Sequence, residues 1–331
     1  MILLIMWNIT EFLRINLIRY NFNMAEIKEK KLSQKTVKRN FSTIGLILIL
    51  YVLLSMFLPY VIRFYIQEIG SSIIHDEYLY YGLYFIILLF GSIIPFFFMR
   101  KFSKMKFKKF NRKVNATFID LFVQTIVFFT ICVALTYVSN MLVSYFGQEG
   151  KLISGIGFSY DESNLNNVLY VFMLIVVSPL IEEYAFRGVL LNSLSSYGKT
   201  FALYATSIIF ALAHNNFAEM IPAFAMGIAL GKTSLRYKSI QPTIIIHILF
   251  NAFIYALCVM PYGVTKYMAY GLVAICILAF YLILTGRYQR ISVQSSRTSR
   301  IVRKLFYTRF SIIASMLLMI AYTCLFMFVK L

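Results

Sequence analysis

The sequence predicts an all-α fold: a polytopic transmembrane helix bundle of about eight to nine spans. Three observations carry this. Of 331 residues, 60% are hydrophobic and only 14% charged, whereas soluble domains are nearer half apolar and a quarter charged. The mean hydropathy is +0.76, and apolar runs of membrane-crossing length recur along the chain. The net charge of +19 is concentrated between those runs, as in cytoplasmic loops that face anionic lipid. That placement argues against nucleic acid as a partner. Cys132, Cys258, Cys276 and Cys324 lie inside apolar segments without paired spacing. They read as small core residues and not as disulfides or metal clamps.

The elements follow in order. Residues 1–41 form a cytoplasmic N-terminal segment. Glu11, Arg14 and Arg19 interrupt its apolar start, Met24 is an alternative first residue, and Glu26 to Arg39 is basic. Three spans occupy 42–146: about Ser42–Tyr65, Tyr78–Met99 and Thr117–Phe146. His75 falls in an outer loop, and Arg100–Lys113 carries eight Lys/Arg. A further region, 167–260, holds a span from Asn167 to about Ser195. Short spans follow at Thr200–Asn215 and Ala218–Gly231, then a basic turn (Lys232, Arg236, Lys238) and a span at Ile240–Met260. The last part, 261–331, holds spans at Tyr267–Thr285 and Phe310–Phe328 around the basic loop Arg287–Arg309. With the N-terminus in the cytoplasm, the loops starting at Arg100, Lys232 and Arg287 all fall inside, as the excess of Lys and Arg requires. No internal repeat or soluble domain is evident. The expected location is the plasma membrane, with multiple passes.

A few polar residues stand out against this apolar background. Ser178-Pro-Leu-Ile-Glu-Glu-Tyr-Ala-Phe-Arg-Gly188 places Glu182, Glu183 and Arg187 in an apolar segment, where each charge costs a few kcal/mol or more. Glu183 and Arg187 are i and i+4 and can pair. Glu182 points about 100° away around the helix, so one acid is structural and the other is free for chemistry. His214 closes Phe210-Ala-Leu-Ala-His214, and His247 opens His247-Ile-Leu-Phe-Asn251. Counted at ~1.5 Å per residue from the span ends, all of these fall in the middle part of the bilayer.

An acid, two imidazoles and an amide in a dry cavity suit activation of a water molecule. A carboxylate takes the proton, an imidazole orients the water or shares the proton, and a second imidazole with an amide supports a developing oxyanion. The target is an acyl group, most simply a peptide bond. No Gly-x-Ser-x-Gly, His-Glu-x-x-His or Walker loop suggests another mechanism.

Glu182-Glu183-x-x-x-Arg187, Phe210-x-x-x-His214 and His247-x-x-x-Asn251 resemble the three motifs of the CPBP intramembrane proteases. That family groups type II CAAX prenyl endopeptidases with bacteriocin-processing and self-immunity proteins. The resemblance spans about Asn167 to Met260. It implies Glu182 as general base, Glu183 as its structural neighbour paired with Arg187, Phe210 as support, and His214 as partner in water activation. It further implies His247 and Asn251 as oxyanion donors. Family members are often called metalloproteases, and Glu182, His214 and His247 could form a two-His, one-carboxylate zinc site. The preferred reading needs no cofactor, and zinc is the alternative. The expected partners are the lipid bilayer and a membrane-embedded or membrane-associated peptide or protein substrate. Two other classes compete: a catalytically silent immunity or sensor-binding protein with the same fold, and a transporter using these groups as a proton relay. The absence of an inverted repeat disfavours the transporter.

Overall fold

A computed structural model describes residues 34–59, 61, 77–102, 105, 118–145, 168, 171–285 and 300–328. Those residues are almost entirely helical and include no strand. The expectations for 1–33, for His75 and for most of the 100–113, 147–166 and 287–309 loops lie outside the described residues.

The helices are α1 (Gln34–Phe57), α2 (Glu77–Phe102) and α3 (Phe118–Tyr145), followed by a composite α4. Helix α4 runs without a break through Met173–Val177, Ser178–Glu182, Glu183–Leu191 and Asn192–Ser195. Then come α5 (Lys199–Leu212), α6 (Phe217–Tyr237), α7 (Gln241–Val259), α8 (Tyr262–Leu284), α9 (Arg300–Tyr307) and α10 (Phe310–Phe328). By length and composition, Gln34–Phe57 and Leu121–Val143 can each cross a membrane. A third span results if α9 and α10, bent by 54°, count as one. Helix α5, with 14 residues, is only about 21 Å long and lies largely inside the bundle.

Three boundaries depart from the sequence reading. Helix α1 starts at Gln34, inside the segment expected to precede the first span, because Val37, Asn40 and Phe41 are buried while Lys35, Lys38 and Arg39 face outward. The expected basic turn at Lys232 is instead the last part of α6. Thr233, Ser234 and Leu235 are buried and keep the chain helical until Lys238 adopts a left-handed conformation at φ 51°. The basic segment before the final helix contains α9, which tucks Phe306 edge-on against Phe41 and Phe201.

Helix α6 is the central strut, packing on α5, α3, α7 and α4. Gly227-x-x-x-Gly231 is a small-residue stripe of the kind that lets apolar helices approach closely. A Cβ on Gly227 would lie 2.8 Å from the Cβ of Ser207 on α5. On the other side of α6, Gln124 of α3 donates to the Thr233 hydroxyl. An aromatic chain then runs inward: Tyr51 and Phe96 meet Phe186, which meets Phe210 at 5.0 Å between ring centroids. Large apolar side chains cover the outside, among them Ile131, Tyr137, Met141, Ile245, Leu249 and Ile277. So extensive an apolar exterior fits a lipid surround.

Candidate active site

Helix α4 builds the centre of the site. Its Met173–Val177 and Glu183–Leu191 stretches are π-helical, a widened form that is often found at functional sites. Glu183 and Arg187 are buried, at 0% and 2% exposure. The Arg187 Nη1 donates to Glu183 Oε1 at 2.7 Å, as the i, i+4 spacing predicts. The Arg187 guanidinium also stacks 4.2 Å over the Phe210 ring, a contact worth ~2 kcal/mol where water is excluded.

The same Glu183 oxygen takes a second donor from α7. His247, 2% exposed, has Nδ1 at 2.9 Å from Glu183 Oε1. A carboxylate oxygen that already receives an arginine N–H accepts here too, so Nδ1 carries the hydrogen. The other ring nitrogen, Nε2, lies 3.9 Å from Glu182 Oε2, too far for a direct hydrogen bond. Glu182 is half-buried, and its Oε1 accepts from the Ser178 hydroxyl at 2.6 Å. Its Oε2 is buried without a hydrogen-bond partner. The two neighbouring acids therefore do diverge: Glu183 holds Arg187 and His247 together, and Glu182 presents one oxygen into the site.

His214 lies just past the end of α5. The backbone N–H of His214 bonds to Ala211 instead of Phe210, which leaves the Phe210 carbonyl as one of the orphans of a helix C-terminus. His214 Nδ1 fills it at 2.8 Å. A carbonyl can only accept, so Nδ1 bears the hydrogen and Nε2 of the neutral ring keeps its lone pair. The His214 and His247 rings lie 4.7 Å and 6.2 Å from the Phe210 ring, both edge-on. Phe210 thus holds the two imidazoles and Arg187 around one ring.

Asn251, one turn along α7 from His247, donates Nδ2 to the Leu174 carbonyl at 3.0 Å. That bond ties α7 to the first π-helical stretch of α4 and occupies one of the amide hydrogens expected to face an oxyanion. Two residues at the site were missed by sequence reasoning. Ser178 was legible, since it stands i−4 from Glu182. Glu219, one turn into α6 behind the Asn216 cap, is close enough to His214 and Glu182 for their charges to interact. It gave no signal, because its neighbours come from other helices.

Among the described residues, no three His, Cys, Asp or Glu side chains form a group that could hold a metal ion. Glu182, His214 and His247 are therefore not gathered as a zinc ligand set in this arrangement.

A carboxylate pair, a buried arginine and two imidazoles thus meet inside an apolar helical bundle that includes helices of membrane-crossing length. Residues 164–253 match the family model described as type II CAAX prenyl endopeptidase Rce1-like. Over this segment the chain is similar to that family of CAAX-type proteases. It is also 34% identical, over 93 residues, to the membrane-embedded CAAX protease MroQ of Staphylococcus aureus (strain USA300). That similarity covers 26% of this chain and 38% of the relative. No solved structure matches.

Proposed function

We propose that the protein is an intramembrane endopeptidase that hydrolyses peptide bonds of membrane-embedded or membrane-associated substrates without a metal. One observation carries this reading: Glu182 Oε2, buried and without a hydrogen-bond partner, lies 3.9 Å from His247 Nε2. A carboxylate held this way suits proton abstraction from a water. His214, with the lone pair of Nε2 available, assists in orienting that water. His247 supports the developing oxyanion as an imidazolium, donating from Nε2 while Nδ1 stays with Glu183, and Asn251 contributes through its remaining amide hydrogen or by positioning α4. The proposal includes eight to nine spans with the N-terminus in the cytoplasm and the protein in the plasma membrane, on the strength of the Lys/Arg distribution. The membrane proteomes of cells carrying wild type and Glu182→Gln should differ in at least one cleaved protein at equal enzyme abundance. Identical proteomes would leave a catalytically silent binding protein of the same fold as the better account.

A further inference from the structure

Serine and threonine hydroxyls inside helices usually donate to the carbonyl three or four residues back. Thr125, Thr136, Thr206 and Ser207 all do so here. Ser178 does not. The carbonyl four residues behind it, Leu174, receives the Asn251 amide at 3.0 Å, at the point where α4 widens into its first π-helical stretch. The Ser178 hydroxyl donates forward to Glu182 Oε1 at 2.6 Å. That bond ties down one carboxylate oxygen and leaves Oε2 as the oxygen facing His247 Nε2.

We propose that Ser178 is a positioning residue that selects Oε2 as the reacting oxygen of Glu182. Asn251 acts with it from α7 by engaging the Leu174 carbonyl that Ser178 would otherwise take. Asn251 of the third motif thus reaches Glu182 only by way of α4, whereas His247 of the same motif bonds Glu183 directly. This inference rests on the endopeptidase reading.

The test uses the full chain reconstituted in lipid, with a substrate found by the proteome comparison. Ser178→Ala should lower kcat by about tenfold, the loss expected for one hydrogen bond to a charged group, with KM and thermal stability close to wild type. Ser178→Thr, which keeps the hydroxyl, should restore most of the rate. The Ser178→Ala/Asn251→Ala double variant should lose less than the product of the two single losses, because both act on one bond network. Wild-type kcat in Ser178→Ala, or no rescue by Thr, would overturn the inference while Glu182→Gln stays inactive. Cleavage by Glu182→Gln would overturn the endopeptidase mechanism itself.

Discussion

Glu182 and Glu183 are adjacent, yet they do different work, and the difference can be measured. Glu183 is fully buried between Arg187 and His247. Removing one partner of a buried ion pair costs ~3–5 kcal/mol, because the other charge is left stranded. Glu183→Gln should therefore lower membrane abundance or the melting temperature. Glu182→Gln should leave both near wild type and abolish cleavage, and equal losses of abundance would show that the two roles are wrongly divided. The pairs along a single helix, Glu183 with Arg187 and Phe210 with His214, were legible because i, i+4 spacing fixes them. The Glu183–His247 contact was not, because spacing within one helix says nothing about which helix it meets. Composition did reveal the buried charges as such, since an apolar segment tolerates them only in a built site.

Helices α5 and α6 approach closely because Gly227 is opposite Ser207. Gly227→Leu would force those backbones apart at a cost of about 1–3 kcal/mol. It should appear as a lower melting temperature, with any surviving enzyme cleaving more slowly, because α5 carries His214 at its end. Asn251, which ties α7 to α4, should behave differently. Asn251→Ala should remain folded and slow but measurable, within the ~10²–10³ range seen for loss of one oxyanion donor, whereas His214→Ala should fall to background. Element types were well marked by apolar length, and the ends of α10 fell where the sequence placed them. The ends of α1 and α6 were misplaced because basic residues were read as loop. In both helices the charges face outward while their neighbours fill the core.

Across the whole molecule, the apolar exterior and the grouping of bases set the expected orientation. Single cysteines at Lys101, Lys238 or Arg300, in an otherwise cysteine-free chain, should resist a membrane-impermeant thiol reagent applied to intact cells and react after lysis. Labelling of intact cells at Lys101 would reverse the orientation and with it the face from which substrate enters. Purified protein should keep its activity after a strong chelator, since Glu182, His214 and His247 do not gather as ligands. Inactivation that zinc restores would overturn the metal-free mechanism and leave the fold assignment standing.

The π-helical stretch Glu183–Leu191 gives the motif a vulnerability that no substitution scan would expose. Deleting Val189 leaves Glu182, Glu183, Arg187 and every other motif letter in place. Yet one residue fewer changes the turn of the helix between its buried foot, Asn192–Ser195, and the acids above it. The carboxylates would shift relative to His247, and the motif would read as intact while its residues no longer met.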